Sequence, residues 1–145
     1  MNIIEIYNLF PAILKSKLLA GELSFPEDIR FEYEKIQAYR GIVREKEDNT
    51  PVSRNDMKSY AELNKLPRGV NIKNTIDNYN VSLFSDIKSL KECFKLPRPN
   101  KKIARGFVFQ EGGPTQINKE TNHIGWWLYD KDIDFKEFVI EEETI

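Results

Sequence analysis

From Ile103 onward the chain offers three apolar runs with no helical stretch between them, and this bounds the fold more tightly than any other feature. Ile103 to Gln110 places Phe107 and Phe109 on one face of an extended segment. Ile124 to Tyr129 is dense in aromatic residues, and Phe135 to Glu141 reads as another strand. Gly112, Gly113 and Pro114 make a turn after the first run. The acidic Asp130 to Asp134 is a tight connection between the other two, which predicts a hairpin. Strands that follow one another without crossover helices predict an α+β fold with a mixed, mostly antiparallel sheet.

Helical periodicity is concentrated upstream. Ile3, Ile6, Leu9 and Phe10, then Ile13, Leu14, Leu18 and Leu19, recur at helical spacing, with Pro11 suited to a first turn and Gly21 to a stop. Met1 to Ala20 therefore predicts two short helices or one kinked one, and residues 1–23 a helical lead-in packed on the core. Docking of a protein partner is the alternative use of that segment. From Phe31 to Val43 the pattern becomes strand-like, with Ile36, Ala38, Arg40 and Ile42 on one face and Gln37, Tyr39, Gly41 and Val43 on the other. After a polar loop over Arg44 to Pro51, Ser53 and Asp56 form a capping box. It predicts a helix bearing Met57, Tyr60, Ala61 and Leu63 and ending at Pro67 and Gly69. Val70 to Asn78 reads as a polar surface loop, and Tyr79, Val81 and Leu83 as a short strand. Ser85 or Asp86 then caps a second helix with Ile87, Leu90 and Phe94 inward, broken by Pro97 and Pro99. The expected order is N-terminal helices followed by the sheet, with two further helices.

A chain of 145 residues corresponds to one domain, taken here as 1–145, and 40% hydrophobic residues suffice for a core without disulfide or metal support. Acidic and basic residues nearly cancel to a net charge of −1, so non-specific binding to duplex nucleic acid has no global electrostatic support. The single cysteine, Cys93, and the single histidine disfavour a metal site and fit a reducing cytoplasm. Met1 to Phe10 carries Glu5 and no basic lead, unlike a secretory signal. No apolar run approaches the roughly 20 residues of a membrane span.

Three places carry side chains suited to chemistry. Arg40, in Tyr39-Arg40-Gly41, shares a strand face with apolar residues. A buried guanidinium there must meet a carboxylate, backbone carbonyls or a ligand phosphate. Ser82 faces opposite to Val81 and Leu83, and Ser85 stands where strand turns to helix; a backbone-bonded strand hydroxyl and a helix cap are the plain readings of the two. In Glu120-Thr121-Asn122-His123-Ile124-Gly125-Trp126-Trp127, His123 is either a structural imidazole or an acid–base group. Trp126 and Trp127 point to opposite faces, so that one enters the core while the other packs as well or stacks on a ligand ring. The run Arg98, Lys101, Lys102 and Arg105 adds positive charge for a nucleotide or another small anionic ligand.

These motifs, in this order, resemble the ADP-ribosyltransferase family of the arginine–serine–glutamate type, over Ile36 to Glu141. The aromatic-Arg-Gly motif of that family is similar to Tyr39-Arg40-Gly41, and its Ser-x-Ser motif running into a helix is similar to Ser82-Leu83-Phe84-Ser85-Asp86. The resemblance implies NAD as cofactor, with Arg40, Ser82, Ser85 and Trp127 in the binding site. It implies ADP-ribosyl transfer or NAD cleavage as the activity. Where the family carries Glu-x-Glu or Gln-x-Glu, this chain has His123-Ile124-Gly125-Trp126. Three arrangements follow: Glu120 enters the site, His123 takes the place of the carboxylate, or the domain binds a nucleotide or anion without catalysing. Glu111 is a further candidate carboxylate. A protein-interaction module remains the alternative to all of these.

Overall fold

A computed structural model describes residues 2–65, 75–94 and 100–144 of the chain. Strand β1 (Ile36–Val43) alternates as its sequence dictates, with Ala38 and Ile42 buried and Gln37 and Val43 exposed. It pairs along its full length with β3 (Lys101–Val108), from Ile36 opposite Val108 to Val43 opposite Lys101. On its other side it meets β2 (Val81–Phe84) at the single registered pair Tyr39 and Phe84. Strand β5 (His123–Trp126) pairs with β2, β4 (Thr115–Asn118) with β5, and β6 (Val139–Thr144) with β3. The six-stranded sheet runs β4-β5-β2-β1-β3-β6 and is antiparallel throughout, rather than mixed.

Two short helices precede the sheet. In α1 (Ile3–Tyr7) the Asn2 side chain accepts the Glu5 N–H at 2.9 Å. Helix α2 (Ala12–Leu19) begins after Pro11 and buries Leu14 and Leu18. It ends in a left-handed turn at Gly21, φ +73°, where Gly21 N–H bonds Leu18 O and Glu22 N–H bonds Lys17 O. Glycine takes that backbone at no steric cost, which suits it to the stop of the helix. These helices pack Phe10, Leu14 and Leu18 around Trp127 and Tyr79, while Ile3, Ile4, Ile13 and Leu19 stay exposed. No helix among the described residues is long and apolar enough to cross a membrane.

The larger core lies on the face of the sheet that carries Ala38, Ile42, Val81, Leu83, Ala104, Val108, Ile124 and Trp126. The opposite face meets α3 (Ile87–Glu92), which lies against β1 and β2 with Leu90 buried. Asn122 donates to Ser89 Oγ at 3.1 Å, and Lys101 stands over the Phe94 ring, so both contacts tie this helix region to that face.

Several sequence expectations give way. The capping box at Ser53 and Asp56 forms, but it opens only the single 3-10 turn Arg54–Asp56 and no α-helix. The reason lies in the carbonyls. Arg40 takes those of Asp56 and Lys58, and Arg54 takes that of Met57, so they do not serve the N–H groups that would continue a helix. The expected ends of that helix, Pro67 and Gly69, lie outside the described residues, as do Pro97, Pro99 and most of the Val70–Asn78 loop; Ile76–Tyr79, at the end of that loop, forms another 3-10 turn. Among the described residues α3 is therefore the only α-helix after the lead-in. The expected hairpin between the last two runs is absent. β5 is flanked by β4 and β2, whereas β6 is the opposite edge of the sheet. The segment between them instead crosses the main core and contributes Leu128, Phe135 and Phe138 to it. Strand β4, polar at Gln116 and Asn118, carries no apolar run that would announce it.

Candidate functional site

Arg40 extends from the centre of β1 on the core side. Its Nε donates to Asp56 O at 2.8 Å, Nη1 to Ser82 O at 2.7 Å and Nη2 to Lys58 O at 3.2 Å. β1 and β2 share one registered pair, at Tyr39 and Phe84, and Nη1 supplies a donor to the β2 carbonyl at Ser82. Burial pushes the guanidinium down to about 10, with neighbouring Tyr60 and Asp56 opposing this, so it remains charged at neutral pH. Of the fates open to this group, backbone carbonyls are the one realised. All three of its nitrogens are bound within the protein. The position expected of a phosphate clamp is thus a structural one.

Ser82 is the middle of a different arrangement. It alternates with the core residues Val81 and Leu83, so its hydroxyl emerges on the opposite face from Arg40. There it is exposed, and Ser82 Oγ lies 2.6 Å from His123 Nε2. The two belong to adjacent strands and are diagonal neighbours. Ser82 is registered with Gly125, and His123 with Phe84, whose ring meets the imidazole edge-on at 5.3 Å. Burial lowers the His123 pKa from its ordinary value, and Asp77 opposes it. The imidazole is therefore mainly neutral at pH 7, the state in which a ring nitrogen accepts a hydroxyl proton.

Asn80 shares this face with Ser82 and was not singled out from the sequence. It is 6% exposed, and its Nδ2 has no hydrogen-bond partner. The amide occupies the space over Gly125, where an added Cβ would stand 2.4 Å from Nδ2. Any larger residue at 125 would evict it. The detectable signal was the spacing Asn80-x-Ser82 on a strand, with a glycine in the strand that pairs with it.

The other expected residues lie apart from this pair. Ser85 is exposed, and its backbone N–H bonds Asn122 O at 2.9 Å; the cap position of α3 belongs to Asp86. Glu120 is exposed in the β4–β5 turn, with its backbone N–H on Asn118 Oδ1, and Glu111 is exposed in a 3-10 turn after β3. Trp127 is fully buried, its Nε1 donating to Ile76 O at 3.1 Å and its ring edge-on to Phe25. It has no free ring face for a ligand to stack on, and Trp126 is fully buried as well. Of the basic run, Arg98 lies outside the described residues. Lys102 is buried on three oxygen acceptors, and Arg105 is paired with Glu141 at 2.5 Å.

No family model matches the chain, and comparison with curated proteins and with solved structures returns no match.

Proposed function

We propose that the domain is an enzyme of nucleophilic group transfer, with Ser82 as nucleophile and His123 as its general base. The carrying observation is the 2.6 Å contact between an exposed hydroxyl and a partly buried imidazole. With the proton on Nδ1, His123 Nε2 accepts the Ser82 proton as Oγ attacks an electrophilic centre, then returns it to the leaving group. Arg40 contributes indirectly. Its bond to Ser82 O fixes the backbone that carries the hydroxyl, so it is a positioning residue. The proposed setting is the cytoplasm, in keeping with the free thiol of Cys93.

A fluorophosphonate probe tests the reading directly. Peptide mass mapping of the labelled full chain is expected to find the adduct on Ser82. Labelling should vanish in Ser82→Ala and fall at least about 100-fold in His123→Ala, in line with general-base contributions. Labelling that survives His123→Ala unchanged refutes the dyad.

A second reading keeps the NAD-like nucleotide ligand that the family resemblance implies. One observation favours it: Arg40 and Ser82, which carry the resemblance, are linked to each other and to His123, which does not, by the contacts Arg40 Nη1 to Ser82 O and Ser82 Oγ to His123 Nε2. Here His123 would occupy the place of the family's glutamate. Ser82 would orient the ribose, and the pyrophosphate would need a cation other than Arg40. Incubation with NAD separates the readings, because free nicotinamide appears only under this one.

A further inference from the structure

A hydroxyl attacking a carbonyl leaves negative charge on the carbonyl oxygen, and a site that performs this step needs a donor aimed at that oxygen. The dyad has none to spare, since His123 Nε2 is committed to the Ser82 proton. Asn80 supplies one. Asn80 immediately precedes β2, two residues before Ser82; its amide lies over Gly125, on the face that Ser82 shares, and the residue is more than nine-tenths buried. Its Nδ2 is unpaired and rests on Gly125, the residue registered directly across from Ser82. A buried amide nitrogen without an acceptor is a standing cost to the fold, and it is relieved when an oxygen arrives at that place.

We infer that Asn80 Nδ2 is the oxyanion donor of the Ser82–His123 site, and that the substrate is therefore a carboxylic ester or thioester. The inference rests on the nucleophilic reading of Ser82. As the Oγ–carbon bond forms, the carbonyl π electrons move onto oxygen beside Nδ2, and the hydroxyl proton moves to His123 Nε2. Collapse breaks the bond from carbon to the alcohol or thiol, which leaves with that proton. Water then repeats the sequence on the acyl-serine, releasing the acid and restoring the hydroxyl. Gly125 is required because a methyl group there would occupy the position of the amide.

The test uses the full chain with p-nitrophenyl acetate and acetylthiocholine, together with mass spectrometry of the acylated protein. The wild type is expected to hydrolyse at least one of them and to carry a transient acetyl group on Ser82. Asn80→Ala should lower kcat about 100- to 1,000-fold with KM within about threefold, the loss typical of one oxyanion donor. The pH dependence set by His123 should be unmoved. Because the removed nitrogen is unpaired, the urea midpoint of Asn80→Ala should stay level or rise, whereas a purely structural asparagine would lose stability. Gly125→Ala should reproduce the kcat loss without removing a polar atom. Wild-type acylation of Ser82 with an unaltered kcat in Asn80→Ala overturns the assignment of Asn80 and leaves the dyad standing. Absence of both turnover and acylation in the wild type overturns the nucleophilic reading and this inference with it.

Discussion

Arg40 and Arg44 converge on one residue: Arg40 Nε holds the Asp56 carbonyl at 2.8 Å, and Arg44 Nη2 holds the Asp56 carboxylate at 2.8 Å. Both side chains thereby hold the segment around Met57 against the sheet, and Met57 is fully buried. Replacement of Arg40 by Met preserves much of the stem but strips donors from the carbonyls of Asp56, Lys58 and Ser82. Each part-buried carbonyl left without a donor costs about 1–3 kcal/mol, so with those of Asp56 and Lys58 both orphaned the loss of stability should be at least about 2 kcal/mol. Asp56→Asn keeps the carbonyl and removes the charge that Arg44 needs, again at a cost of about 3 kcal/mol. Urea denaturation measures both. A stable Arg40→Met variant would contradict the structural role and return the guanidinium to ligand binding.

Stability and activity should both depend on His123 in mildly acidic solution. Burial holds the folded imidazole below its ordinary pKa, whereas the unfolded chain titrates near 6.5. Between those values the unfolded state binds the extra proton, so stability rises with pH through the window. The contribution is complete above about 6.5 and declines as pH falls toward the folded value. Urea midpoints at pH 7.5 and 5.5 should differ more in the wild type than in His123→Gln. Hydrolysis should follow the same limb, because only the neutral ring accepts the Ser82 proton. Equal pH sensitivity in both proteins would remove His123 as the titrating group.

Trp127 illustrates how far one strand's alternation can be read and where it stops. That Trp126 and Trp127 face opposite ways was legible from the sequence, and so were the faces and the end of β1, the inward Leu90 and the stop at Gly21, although β1 begins at Ile36 and not at Phe31. What covers each face was not. The lead-in helices bring Phe10, Leu14 and Leu18 onto Trp127 from more than a hundred residues away in sequence, which closes the ring face expected to meet a ligand. The same limit applies to the last strands. Their apolar runs were visible, but Asp130–Asp134 carried no register information, and β6 found the free edge of β3 instead of β5. Local rules favoured a helix after Ser53, and the tertiary demand of Arg40 for carbonyls overrode them. Arg40, Ser82 and His123 were all singled out; that two of them meet on the face opposite the third required the register.

Trp127→Ala should accordingly act on the fold and not on ligand affinity. Removal of a fully buried indole costs about 3–5 kcal/mol, and it also orphans the Ile76 carbonyl. The buried indole of a folded Trp127→Phe variant gives a second measurement. Any change in intrinsic fluorescence on addition of NAD or of an ester substrate should be of the same fractional size in this variant and in the wild type. Loss of a ligand-dependent signal on this substitution alone would restore Trp127 to the site.

Lys102 gives the remaining test of the basic run. It stands opposite Ile42 on the core face, and its Nζ donates to Lys46 O at 2.9 Å, Asp48 O at 2.8 Å and Asn49 Oδ1 at 3.0 Å. An ammonium has three hydrogens, and each has an acceptor, so the charge anchors the loop after β1 and has none left for an anion. Lys102→Met keeps the buried stem and removes all three bonds. The fold should lose roughly 1–3 kcal/mol, and cleavage at Glu45 and Glu47 by a glutamate-specific protease should accelerate at least about tenfold as the loop detaches. Lys102→Arg should rescue little, because a planar fork does not match three acceptors arranged around a tetrahedral nitrogen. Unchanged cleavage in Lys102→Met, with weakened phosphate or nucleotide binding, would instead mark this cation as part of an anion site.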